Sequence, residues 1–256
     1  MPKQIGLIKL KGSVDDLVFS KTQDGYMAQK KALFNADKLK NDPNYEQVRL
    51  NNLEFATGGN ASRILREAFS NEIFKASDNR MISRLTQTMI AALQADAVND
   101  YGYRQVQSGN MGLLDGFDFN LGVPLSSTVR VPFTATANRA TGQVNVTVPA
   151  LIPQERVAAP AGGVTHYRLF AAAAALDFST GASFSFRLST PNLPHDNNEG
   201  AVTTLALTLP AASTQPIVVI LGVEFMKMVN NKVYPNTKKQ NALQILAIDT
   251  PPASGG

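Results

Sequence analysis

The chain has 256 residues and 44% hydrophobic content, enough to bury a sizeable core and too apolar for wholesale disorder. Its net charge of +4 is spread thinly: 15 Lys/Arg against 12 Asp/Glu in residues 1–105, and 9 against 8 in residues 106–256. No dense basic tract invites a phosphate backbone, and the lack of any cysteine excludes disulfides, thiolate metal sites and thiol nucleophiles.

Residues 1–16 carry Lys3, Lys9 and Lys11 and no apolar run long enough for a signal peptide. No stretch approaches the roughly 20 apolar residues of a membrane span. The expectation is cytoplasmic synthesis without a signal peptide, with release as part of an assembly. Residues 4–31 read as short strands, with apolar patches at Ile5-Gly6-Leu7-Ile8, Leu17-Val18-Phe19 and Tyr26-Met27-Ala28 and a turn at Asp24-Gly25. Such a ribbon has little core of its own, so Leu7, Leu10, Val18 and Phe19 must pack on a neighbour, either the chain's own sandwich or that of the next subunit. Residues 35–40 read as a polar hinge.

Asn41-Asp42-Pro43 then opens a helix, a capping side chain followed by Pro at the first helical position, expected to run to about Phe55 and stop at Gly58-Gly59. Asn60 can cap a second helix with Ile64, Leu65, Ala68, Phe69 and Ile73 on one stripe. After a restart at Ser77 or Asp78, a third stripe follows in Met81, Ile82, Leu85, Met89, Ala92 and Leu93. A glycine-rich connection closes this part near residue 122.

Beyond it the apolar period becomes two. Alternation over 129–135, 143–148, 167–178, 183–188, 204–209, 217–229 and 242–248 gives about seven strands between Gly, Pro and Asn turns. Residues 216–229 are apolar on both faces, which marks a central strand covered on both sides. Asn230-Asn231 turns the chain, and 242–248 reads as its hairpin partner. The fold class expected is mainly β with an α-helical N-terminal part. It comprises a β-ribbon arm at 1–40, helices and linker at 41–122, and an Ig-like antiparallel β-sandwich at 123–256.

The search for chemistry yields little. His166 lies in a predicted strand and reads as structural or exposed. His195-Asp196-Asn197-Asn198-Glu199 holds metal-type oxygens but lacks the EF-hand pattern, so a polar loop competes with a calcium site. No zinc-type histidine pair, nucleophile elbow, phosphate-binding loop or dinucleotide fingerprint is present, and the scattered acids give a glycosidase pair no support. Arg63, Arg66, Arg80 and Arg84 read as a solvated helix surface rather than a nucleic-acid face. The alanine run 171–175 reads as the small side of a tightly packed strand. No catalytic residue, cofactor or metal is expected.

Several phrases carry a resemblance: Gly12-Ser13-Val14, Ala161-Gly162-Gly163-Val164-Thr165-His166-Tyr167, Leu221-Gly222-Val223-Glu224-Phe225 and Val229-Asn230-Asn231-Lys232-Val233-Tyr234-Pro235. Together they resemble a group of uncharacterised proteins of Bacteroidetes-type bacteria, of similar length, with a β-ribbon, helices and a sandwich. That resemblance implies an architecture and transfers no activity. The functional expectation is a non-enzymatic structural protein that builds a filament, tube or particle from copies of itself. The alternative is an Ig-like module that recognises a glycan or protein through loops such as 191–200.

Overall fold

The computed structural model describes residues 2–31 and 36–251. By its contacts the chain divides into two compact units, Met1–Arg49 and Leu50–Gly256. The first holds three antiparallel strands in the order β1 (Gly12–Val14), β2 (Leu17–Thr22) and β3 (Gly25–Lys30). Asp15 takes a positive φ of 51° in the first hairpin, and Gly25, at φ 114°, follows the second turn. No strand forms at residues 5–8, which bend instead; the expected first strand is corrected to β1. The hinge expected at 35–40 falls partly outside the described residues. The remainder belongs to a short helix, α1 (Ala36–Asn41). Asp42 caps the following turn by accepting from the Asn44 amide, and Arg49 donates to the carbonyls of Leu39 and Asp42, each at 2.9 Å.

Helix α2 (Glu46–Ala68) does not stop at the glycines. A Cβ on Gly58 would sit 2.6 Å from Cγ1 of Ile90, so the missing side chain is what lets α2 approach α4 (Met81–Gln94). Asn60 is therefore interior to the helix, where it accepts from Arg63, rather than a cap. The break comes at Phe69, before α3 (Ser70–Lys75).

Nine strands follow: β4 (Thr134–Asn138), β5 (Gln143–Val148), β6 (His166–Leu176), β7 (Ser183–Ser189), β8 (Leu193–Pro194), β9 (Thr203–Thr208), β10 (Ile217–Val229), β11 (Lys232–Pro235) and β12 (Ala242–Asp249). The protein is mainly β, with 34% strand against 27% helix. One antiparallel sheet has the order β4-β5-β9. The other runs β11-β10-β6-β7, with β12 also on β10 and β8 also on β6. The first strand expected, 129–135, lies later than foreseen; Val129 itself makes only an isolated bridge to Val157. Asn230 and Asn231, with φ of 49° and 59°, make a tight turn into β11, so β12 is not the hairpin partner but pairs further back along β10.

β10 is central, as its two apolar faces require. Ile217, Val219, Leu221, Val223 and Phe225 share a core with Val144, Val146, Leu205 and Leu207 of the facing sheet. Val218 and Ile220 share a second core with Ile64, Leu65, Phe69, Leu85, Met89 and Leu93 of the helices. This unit thus stacks helices, sheet and sheet around two apolar layers. Between β10 and β6 the pairs are size-matched: Ile217, Val218, Val219, Ile220 and Leu221 face Ala175, Ala174, Ala173, Ala172 and Ala171. The next pair inverts the sizes, with Gly222 opposite Phe170. Along β12 the register slips between Val219 and Ile220, leaving Leu246 as an extra, bulged residue.

Polar anchors hold the loops. Asp96, 3% exposed, accepts from the amides of Val98, Asn99 and Gln105 and from the Asn99 side chain at 2.7–3.2 Å. Burial by itself raises the Asp96 pKa, but these hydrogen bonds outweigh it and hold the carboxyl at about 2. Glu54, also buried, accepts from the Gly102 amide at 3.0 Å with Arg104 3.7 Å away. Glu72 is buried with Arg187 at 3.7 Å.

Two outcomes are expected. Gly222→Ala puts a Cβ 2.3 Å from Phe170 Cζ, an overpacking clash that should cost about 1–3 kcal/mol by urea unfolding. Adding Phe170→Leu should return part of that loss; an unchanged midpoint in the single variant would contradict the tight pairing. Because the Asp96 pKa is lowered on folding from 3.8, its contribution is present above pH 3.8 and lost as pH falls through about 2. Asp96→Asn should therefore lower the melting temperature at pH 7, and the gap to the unmodified protein should close near pH 2.

Candidate functional site

The four residues expected to meet a neighbour all lie in the ribbon, where the register sorts them. Phe19 pairs with Gly12 and Ala28, and Val18 with Ser13 and Gln29. Successive strand residues point to opposite faces, so Phe19 lies with Val14, Leu17, Tyr26 and Ala28, whereas Val18 lies on the other face with Met27. Both are half-buried. Leu7 and Leu10 lie outside the strands and are 104% and 47% exposed.

Their position follows from one side chain. Gln4 continues the sheet through its backbone, donating to the Tyr26 carbonyl, while Lys3 bridges Met27. Its amide then clasps the chain six residues on: Oε1 accepts from the Leu10 amide at 2.8 Å, and Nε2 donates to the carbonyls of Leu10 and Met27 at 3.2 Å. The intervening residues are pushed out as a loop whose tip carries Ile5, Leu7 and Ile8, exposed by 90%, 104% and 82%. Among residues 2–31 none is buried. Six lysines against three aspartates make this segment basic.

Two other surfaces expose apolar side chains. Strand β7 ends the hydrogen-bonded order of its sheet and lies beside β9 of the other sheet, with Phe184 49% and Leu188 37% exposed. On the helical layer Phe55 and Ile82, with Ile90 beneath, line an open depression of about 590 Å³ rimmed by Ser83, Thr86, Gln87 and Gln94.

The remaining sequence candidates separate. His166 opens β6 and its Nδ1 lies 3.0 Å from Thr165 Oγ1, on the exposed end of the sheet. His195 is turned inward, Nε2 3.0 Å from the Val157 carbonyl. Asp196 is occupied by its neighbour, accepting from Asn198 N at 3.0 Å and Nδ2 at 2.9 Å. Among the described residues no three His, Asp or Glu side chains gather closely enough to hold a metal ion. Arg63 pairs with Glu67 at 2.8 Å and Arg84 with Asp78 at 2.5 Å, so two of the four helix arginines are neutralised locally. Alanines 171–175 are all buried between β10 and β7. No helix among the described residues is long and apolar enough to cross a membrane.

Comparison with protein-family models, with curated proteins and with solved structures finds no match to this chain. The resemblance drawn from the sequence therefore rests on its own residues, and the functional reading on the geometry above.

The clasp is testable by itself. Gln4→Ala removes three hydrogen bonds, each worth about 1 kcal/mol net, and should raise amide exchange at Leu10 while leaving the β2–β3 amides protected. Unaltered Leu10 exchange would show that the loop is held by something else.

Proposed function

We propose that this is a non-enzymatic structural protein that assembles with copies of itself, through the ribbon and the sheet edges, into a filament, tube or particle. The observation that carries this reading is the ribbon: a hydrogen-bonded sheet without a buried residue, from which Gln4 projects three apolar side chains. Ordering such a loop costs backbone entropy, and exposing it to water returns nothing. A partner surface that covers it supplies the missing burial. Phe184 and Leu188 on β7, the last strand of its sheet, are partly exposed and offer a second contact.

On this reading the scaffold is an Ig-like sandwich. Its support is strand order: with β8 and β11 set aside, the seven strands β4, β5, β6, β7, β9, β10 and β12 divide as first-second-fifth and seventh-sixth-third-fourth. That order departs from the antibody constant domain only in the fourth strand, which stays beside the third instead of crossing to the fifth.

Light scattering and negative-stain microscopy of the full chain should show particles far larger than a 27.5 kDa monomer. Leu7→Glu with Leu10→Glu should reduce them to monomers without lowering the melting temperature, because neither side chain is buried within the chain. A monomeric unmodified protein at all concentrations, or a double variant that still builds the same particle, would overturn the assignment.

A further inference from the structure

The loop that Gln4 clasps is apolar at its tip, and the charges around it have one sign. Between Pro2 and Val14 the charged residues are Lys3, Lys9 and Lys11, all exposed, with no acid among them. Lys9 donates from its ammonium group to the Gln4 carbonyl, which fixes a positive charge at the neck of the loop. The strand register sorts the other charges between the two ends of the ribbon. Lys3 bridges Met27, Lys21 pairs with Tyr26, and Gln4 donates to the Tyr26 carbonyl, so the loop emerges at the end where β2 turns into β3. Lys11 joins the ribbon at that end too, one residue before Gly12 meets Phe19. Four lysines thus stand there with one acid, Asp24. At the opposite end Lys30 and Lys31 lie beside the turn of Asp15 and Asp16, and the charges balance.

An apolar tip with cations at its neck suits few surfaces. A nucleic acid would engage the lysines but leave the tip in water, because Ile5, Leu7 and Ile8 offer no aromatic ring for bases to stack on. A purely apolar surface would take the tip and leave the lysines against a medium that cannot solvate them. An anionic bilayer supplies both parts in the matching order, hydrocarbon below and phosphates above. The backbone sets the depth. Irregular chain does not enter hydrocarbon where lipid surrounds it, so the side chains of the tip reach below the headgroups while the main chain stays level with them.

We propose that this loop docks the ribbon on an anionic phospholipid surface, with Ile5, Leu7 and Ile8 entering the acyl boundary and Lys3, Lys9, Lys11 and Lys21 meeting lipid phosphates. Apolar insertion and a basic cluster are the two signals that together hold a chain on a membrane, where one alone is marginal. The long lysine stems lie along the interface while their ammonium groups stay in the headgroup layer. The inference goes beyond self-assembly and does not require it. A free chain can meet lipid with this tip, and a tip held in lipid is closed to a second copy.

The test is flotation of the full chain with vesicles of phosphatidylcholine alone or of an equimolar mixture with phosphatidylglycerol. The protein should float with the mixed vesicles and not with phosphatidylcholine. It should come off as salt is raised to about 1 M, where the screening length falls to about 3 Å. Lys3→Gln with Lys11→Gln should weaken the partition by roughly tenfold, and Leu7→Ser with Ile8→Ser by at least as much. All four side chains are exposed, so neither pair should lower the melting temperature. The chain has no tryptophan, so Leu7→Trp places a single reporter at the tip. Its emission should shift to the blue on the mixed vesicles. Light scattering without vesicles keeps the two readings apart. A monomer that floats with the mixed vesicles sinks the assembly reading and supports this one, whereas particles that form but stay behind overturn this one. Equal flotation with phosphatidylcholine alone, unshifted Leu7→Trp emission in floated protein, or unchanged partition in either pair of variants would also overturn it.

Discussion

The pairing of β10 with β6 fixes the dimensions of everything in the larger unit. Five large aliphatic residues of β10 face five alanines, so one strand fills the space that the other leaves. Where β10 runs out of bulk at Gly222, the Phe170 ring takes the room a Cβ would need, with Cζ only 2.3 Å from that position. Both strands are covered on both faces, so this complementarity is felt in two cores at once. Close packing at crystal-like density makes each such match a constraint on the layer beyond it. The helices can lie low over the sheet because Ala172 and Ala174 project little toward them.

Charge is used inside this unit as a fastener for irregular chain. Glu54, Glu72 and Asp96 are each 3% exposed, and each engages a segment distant in sequence or a loop amide. Removing one partner of such a pair leaves a buried charge unanswered, typically a loss of 3–5 kcal/mol. The ribbon works by the opposite logic. It is held by backbone ladders and one glutamine amide, and its apolar side chains contribute little while they face water. The larger unit holds two apolar cores of its own, whereas no residue of 2–31 is buried.

Much of this was legible in the sequence. The double-faced apolar run of β10 announced a covered central strand, and period-two alternation placed six of the seven sheet strands closely. The misses have physical causes. Gly58-Gly59 reads as a helix stop, but helix contact with Ile90 outweighs the entropic cost of glycine. Glu54 and Glu72 look like solvent-facing helix charges until Arg104 and Arg187 arrive from remote positions. Of the residues proposed for assembly, Leu7 and Leu10 were legible as apolar and unsupported, yet their outward display depends on Gln4, which carries no sequence pattern. Val18 and Phe19 were grouped together although adjacent strand residues must face apart.

The bulge at Leu246 has a consequence for how this gene can change length. In a regular strand, losing one codon turns every later side chain to the wrong face. Here the extra residue already absorbs that half-step: Leu243 and Ile245 face the helices before it, and Ile248 faces them after it. An in-frame loss of codon 246 would leave Ile245 followed directly by Ala247, with Val219 and Ile220 keeping the partners they have now. The strand would become regular and its inward residues would stay inward. β12 is thus a place where a one-residue deletion reads as a repair rather than a frameshift of the fold.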